Sequence, residues 1–168
     1  MKWKKAVLVL FLGLCSTLPA KNIELIIDAS RSMRGKLSNG ELKITAAKTA
    51  VNELLQNLPQ DISIACRAYG HQFPREKHNC EDTELLTDFG ANRQNAVSQI
   101  SALKAQGYTP ITYVLLLAVQ DFVQNDDEKT IILVSDGKET CDGDPCALAD
   151  SLQKNGVNLV IHTVGFGV

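Results

Sequence analysis

The run Thr130-Ile131-Ile132-Leu133-Val134-Ser135 is apolar and β-branched, with no polar alternation. A strand of that kind is dry on both faces, which occurs in parallel sheets clad by helices on each side. Ile23-Glu24-Leu25-Ile26-Ile27 is a second such run and ends at Asp28. Ile62 to Tyr69 and Val157 to Val164 read as further strands, and Leu85 to Phe89 as a short antiparallel edge strand. Helical patterns lie between them. From Glu41 to Leu58, the residues Ala47, Val51, Leu54, Leu55 and Leu58 recur at three- and four-residue steps, and Pro59 stops the pattern. Asn92 caps a helix to about Leu103, with Val97, Ile100 and Leu103 facing inward. Thr109-Pro110 opens a helix to about Gln124, with Thr109 in the cap position. Asp144-Pro145 starts another, to about Asn155, which Gly156 closes. Strands alternating with helices predict an α/β fold: a doubly wound, mostly parallel sheet with helices on both faces.

The 168 residues suit one domain with a sizeable core, and neither internal repeats nor linkers divide them. Residues 1–20 read as a secretory signal peptide, leaving 21–168 as the folded domain. Lys2, Lys4 and Lys5 precede an apolar run from Ala6 to Leu14, followed by Ser16, Thr17 and Ala20. That run is shorter than the roughly 20 residues a membrane-spanning helix needs. A lipoprotein signal at Cys15 is disfavoured, because bulky Leu14 stands where a small residue is wanted. Removing the leader takes three lysines from 17 basic residues and leaves 19 acidic ones, a net charge of -5. With no Lys/Arg cluster elsewhere, this argues against nucleic acid as a partner. The expected compartment is periplasmic or extracellular.

Four cysteines remain after the leader: Cys66, Cys80, Cys141 and Cys146. An oxidising compartment allows three pairings. The favoured expectation is Cys141 with Cys146, closing a short loop containing Gly143 and Pro145, and Cys66 with Cys80, tying a strand end to the following loop. The alternatives are four separate thiols, or a zinc site using His71, His78 and Cys80, which lacks compact paired spacing.

Three stretches carry oxygen ligands at element ends. Asp28-Ala29-Ser30-Arg31-Ser32 puts a carboxylate and two hydroxyls at alternate positions as the chain leaves a strand. Gly107-Tyr108-Thr109-Pro110-Ile111 offers Thr109, and Val134-Ser135-Asp136-Gly137 offers Asp136 at the end of the second buried strand. Open parallel sheets bind ligands beyond the carboxyl ends of their strands, where the strand order reverses. If the two buried strands are neighbours, their terminal carboxylates meet across that crevice. Oxygen-only donors suit a hard divalent cation, Mg²⁺ first, with Mn²⁺ and Ca²⁺ as alternatives. The competing use of these hydroxyls is turn and cap chemistry.

At these residues the chain resembles the von Willebrand factor type A domain family, over about Asn22 to Val168. The resemblance implies a metal-ion-dependent adhesion site of Asp28, Ser30, Ser32, Thr109 and Asp136. Ser30 and Ser32 would bind the cation directly, joined by Thr109 when a ligand is engaged, with Asp28 and Asp136 acting directly or through water. A partner protein would supply a Glu or Asp to the open coordination position. The stretch Asp136-Gly137-Lys138-Glu139-Thr140-Cys141, followed by Asp144-Pro145-Cys146, is similar to bacterial secreted members. Family members usually continue with another edge strand and a closing helix. With the sequence ending at Val168, the expectations are a shortened version without them, a partner that covers their place, or an incomplete sequence; a missing helix would make Val157 to Val164 an exposed edge.

The expected function is therefore a non-enzymatic, metal-dependent binding module. A haloacid-dehalogenase-like phosphotransfer enzyme is the rival, since it also places an Asp after its first strand. That chemistry wants a second acid two residues later, where this chain has Ser30. A structural subunit without metal is the third reading. Serine hydrolysis lacks a G-x-S-x-G elbow. His71, His78, Arg31, Arg34 and Asp126-Asp127-Glu128 read as solvated, and His162 as a packed or edge strand residue.

Overall fold

The computed structural model describes residues 22–122 and 129–166. The leader and Asp126-Asp127-Glu128 lie outside the described residues. In chain order the elements are β1 (Asn22–Asp28), α1 (Lys43–Asn57), β2 (Ser63–Tyr69), β3 (Thr83–Thr87), α2 (Arg93–Ala102), α3 (Ile111–Asp121), β4 (Lys129–Ser135), α4 (Pro145–Lys154) and β5 (Leu159–Gly165). Short 3-10 turns occupy Arg31–Arg34 and Arg75–Lys77.

The strands form one sheet in the order β3-β2-β1-β4-β5, parallel except for β3. The antiparallel edge is real but begins two residues earlier than the expected Leu85, because a register shift at Cys66/Arg67 lets Thr83 pair with Tyr69. The condition set for the site is met: β1 and β4 are hydrogen-bonded neighbours, with Ile27 opposite Val134. The chain runs from β1 outward to β2 and β3, then returns to lay β4 on the other side of β1. The order therefore reverses between β1 and β4, and their carboxyl ends flank the crevice.

Alternation along the strands builds two cores. Leu25 and Ile27 of β1, Cys66 and Ala68 of β2 and Val134 of β4 face a layer made by Ile44, Ala47, Val51 and Leu55 of α1 and Ala96 and Ile100 of α2. Ile26, Tyr69, Ile131 and Leu133 face the opposite layer, with Ile111, Val114, Leu115 and Ala118 of α3. Each Leu, Ile or Val among them contributes about 1.5–3 kcal/mol when fully buried. By contrast, β5 is an edge of the described sheet, with Val160 and Val164 exposed, and none of the residues of α4 is fully buried.

One buried position breaks the apolar pattern. Glu24 shares a face with Ile26 and is fully buried beside Arg67 of β2, whose Nε donates to Glu24 Oε1 at 3.1 Å. Arg67 also pairs with Asp121 of α3, so two carboxylates share one guanidinium. Glu24 Oε2 has no partner among the described residues. Burial, reinforced by Asp121, pushes the Glu24 carboxyl up to about 8.

Candidate functional site

Asp28 lies at the carboxyl end of β1, opposite Tyr69 of β2. Its carboxylate is fully buried and held on both oxygens: Ser30 N–H donates to Oδ1 at 2.7 Å, and the Ser135 hydroxyl to Oδ2 at 2.6 Å. The Tyr69 hydroxyl in turn donates to Ser135 Oγ at 3.2 Å. Burial pushes the Asp28 carboxyl upward, and the bonds from Ser135 and Ser30 oppose that shift. Ser135 and Tyr69 were not foreseen as part of the site. Their signal was strand parity, because residues ending neighbouring parallel strands share a face once the register is known.

The chain then turns through Ser30 into the 3-10 turn, which the buried side chain of Met33 anchors in the α1/α2 core. Ser30 Oγ and Ser32 Oγ are 2.9 Å apart. Ser32 Oγ donates to Asp136 Oδ1 at 2.6 Å, joining the β1 loop to the β4 loop. Asp136 accepts on its other oxygen from Lys43 Nζ, also at 2.6 Å. Lys43 opens α1 and was not anticipated.

Thr109 is buried on the same rim. A Cβ built on Gly137 would lie 3.5 Å from Ser32 Oγ and 4.0 Å from Thr109 Oγ1, so these groups surround one point. The expectation that Thr109 caps α3 is not met. Pro110 takes the cap position, and Thr112 N–H at the helix start donates to Glu139 Oε2 at 2.8 Å. A carboxylate from the β4–α4 loop does the capping instead. Thr109 itself is pinned by its backbone: its N–H donates to Thr140 Oγ1 at 2.9 Å, and its carbonyl accepts from Thr140 N–H at 3.1 Å.

Two glycines let these loops approach. Gly70, just past β2, has φ +71°, and a Cβ there would meet Tyr108 O at 2.6 Å and Ser30 N at 2.9 Å. A Cβ on Gly107 would meet Gly70 Cα and Phe73 O, each at 2.9 Å. The resulting backbone contact lets Arg31 N–H donate to Gly107 O at 3.0 Å, bringing the Thr109 segment beside Ser30. The 70–82 loop is also less free than its polar composition implied. Asp82 is fully buried and accepts from Gln72 and Phe73 N–H, His78 Nδ1 is 2.6 Å from the Tyr108 hydroxyl, and His71 pairs with Glu84. Arg31 pairs with Glu76 on the surface.

The cysteine expectations are corrected. Cys80 bonds Cys141, with 5.6 Å between their Cα atoms, while Cys66 and Cys146 are free thiols. Cys66 sits three residues before the end of β2, about 10 Å down the strand, facing the α1/α2 core. Cys80 lies beyond the strand end, where the loop after β4 arrives. The disulfide also removes Cys80 from any zinc site. Among the described residues no three His, Cys, Asp or Glu side chains gather as a metal-binding group.

The donors that do converge are all oxygens: the carboxylates of Asp28 and Asp136 and the hydroxyls of Ser30, Ser32 and Thr109. That set fits a small hard divalent cation and does not fit a softer metal that prefers nitrogen or sulfur.

Comparison with known proteins agrees with this frame. The family model for the von Willebrand factor type A domain matches residues 22–168. The chain is 31% identical over 155 residues to the uncharacterized protein YwmD of Bacillus subtilis (strain 168), covering 86% of this chain and 67% of that one. It thus spans about two thirds of that relative. Among solved structures it is similar to the pilus adhesin SpaC of Lactobacillus rhamnosus GG, with TM-score 0.69 and 15% identity over 89% of this chain and 25% of that one. It is also similar to manganese-loaded TRAP protein of Plasmodium vivax, with TM-score 0.64 and 20% identity over 89% of this chain and 59% of that one. At these identities the structures speak to the fold alone. A sheet reversing between β1 and β4, the ordered motifs on its rim and the match over all the described residues together establish that the chain belongs to the von Willebrand factor type A domain family.

Proposed function

We propose that this chain is a non-enzymatic protein-binding module acting outside the cytoplasm, which engages an acidic side chain of a partner through a divalent cation. The observation that carries the reading is the Ser30–Ser32–Asp136 cluster, with Oγ–Oγ and Oγ–Oδ1 separations of 2.9 and 2.6 Å, bordered by Asp28 at the end of β1 and Thr109 just before α3. Asp28, Ser30, Ser32, Thr109 and Asp136 would hold the ion, Mg²⁺ or Mn²⁺ by their oxygen chemistry. When bound, the cation supplies a Lewis-acidic position for an incoming carboxylate. Asp28, with both oxygens engaged, orients Ser30 and braces the β1 loop against β4. Ser32 ties that loop to Asp136, and the buried anchor of Met33 keeps the hydroxyls on the rim.

The same loop weighs against phosphotransfer. That chemistry needs a second acid two residues after the nucleophile to protonate the leaving group, and Ser30 stands there with no acid to offer. The Cys80–Cys141 disulfide supports an exported setting, because such bonds persist in oxidising compartments. Likeness in fold to a pilus adhesin and to a manganese-loaded protein is consistent with both parts of the reading.

The test is a pull-down from cell-envelope extract with and without chelator, repeated with Asp28→Ala, alongside calorimetric titration with Mg²⁺ and Mn²⁺. A partner captured only with metal and intact Asp28 is the expected result. Absence of metal binding at millimolar concentration would leave a structural subunit. Phosphatase activity lost in Asp28→Asn would establish the enzyme instead.

A further inference from the structure

Lys43 is a charged side chain of the rim that no motif accounts for. It is the first residue of α1, where the helix dipole disfavours a cation, and the first turn has no acidic residue to offset it. It is nevertheless held in place. Its N–H donates to Gly35 O at 2.9 Å, and its stem passes Gly35, where an added Cβ would come 3.5 Å from Lys43 Cε. The ammonium reaches Asp136 Oδ2 at 2.6 Å, with the two side chains only 16% and 1% exposed. Ser32 meanwhile takes Oδ1. The Asp136 carboxylate is thus divided, one oxygen turned to the hydroxyl cluster and the other to a fixed positive charge.

We propose that Lys43 is a positioning residue that sets the charge of this site, weakening its hold on the cation while strengthening its demand for an acidic partner. The inference rests on the metal-dependent reading above. The two carboxylates Asp28 and Asp136 and the Lys43 ammonium together carry a single negative charge, so a divalent cation turns this group net positive. A partner carboxylate then restores neutrality. Without the ammonium, Asp28 and Asp136 already neutralise the ion, and an acidic ligand gains little. The magnitude is not small: even in the full dielectric of water, a divalent ion and a unit charge about 6 Å apart repel enough to change affinity about tenfold. Lys43 also competes with the cation for Asp136 directly, which acts in the same direction.

The experiment is titration of the purified protein with Mn²⁺, followed by the paramagnetic resonance signal of free Mn²⁺, for the native protein, Lys43→Met, Lys43→Gln and Lys43→Arg. Each titration is repeated with acetate as the carboxylate probe, and circular dichroism checks folding. The expected result is Mn²⁺ binding at least about tenfold tighter in the Met and Gln variants, with Arg within about threefold of native. Acetate should tighten Mn²⁺ binding in the native and Arg proteins and have no effect in the neutral variants. If one neutral variant does not fold, the other decides the same comparison. Unchanged or weaker Mn²⁺ affinity in a folded neutral variant overturns the role of Lys43 and leaves the metal site standing. Loss of the native affinity in Lys43→Arg as well as the neutral variants would mark the residue as a packing element and overturns it too. A native protein that binds no Mn²⁺ overturns the metal-dependent reading itself, and this inference with it.

Discussion

Replacing Glu24 by Gln should make the protein more stable at mildly alkaline pH and leave it nearly unchanged at mildly acidic pH. Glu24 is fully buried in β1, shares Arg67 with Asp121, and has Oε2 without a partner among the described residues. Its carboxyl titrates at about 8 when folded, against 4.5 as the ordinary value. The folded state therefore keeps a proton that the unfolded chain releases. Stability from this group is complete below the unfolded value and is lost as pH rises through the folded one. Between about pH 5 and about pH 8 the loss amounts to roughly 3–4 kcal/mol, at about 1.4 kcal/mol per unit. Gln keeps the shape and the acceptor for Arg67 Nε but cannot ionise. Urea unfolding of both proteins across this range isolates the effect, since other carboxylates titrate alike in both and cancel in the difference. The native protein should fall behind E24Q by that amount toward the alkaline end. A difference constant to within about 0.5 kcal/mol across the range would refute the reasoning, by showing that Arg67 fully compensates an ionised Glu24.

Reduction of Cys80–Cys141, or Cys80→Ser, should lower unfolding free energy by about 4 kcal/mol, the loop-closure value for a separation of 61 residues. In the unreduced native protein a thiol reagent should label exposed Cys146 rapidly. Cys66 should stay protected until unfolding, since it is buried and its thiol is pushed up to about 11. Gly70→Ala should cost at least about 2 kcal/mol, because φ +71° is strained for an L side chain and the added Cβ would strike the Ser30 and Tyr108 backbones. It should also weaken Mn²⁺ binding more than an equally destabilising core change such as Val51→Ala.

Periodicity together with cap, proline and glycine signals identified the elements, because strand and helix patterns and their ends are set locally. The unbroken apolar run of β4 required a sheet covered on both faces, and the spacing in Asp28-Ala29-Ser30-Arg31-Ser32 put oxygens at a strand end. What local pattern could not carry was which loops meet. Cys80 found Cys141 rather than a sequence neighbour because the turns beyond β2 and β4 converge over one sheet edge, while Cys66 is fixed down inside a strand. Glu139 displaced Thr109 as the cap of α3 for the same reason, arriving from a loop 27 residues away. Lys43 looked like an ordinary helix residue until α1 was packed beside the β4 loop. Glu24 looked like part of an apolar strand until Arg67 and Asp121 closed around it. Short-range sequence thus determined the strands, the helices and the donor types. Tertiary packing decided the partners, because hydrogen bonds, ion pairs and disulfides depend on separations in space that chain spacing does not encode.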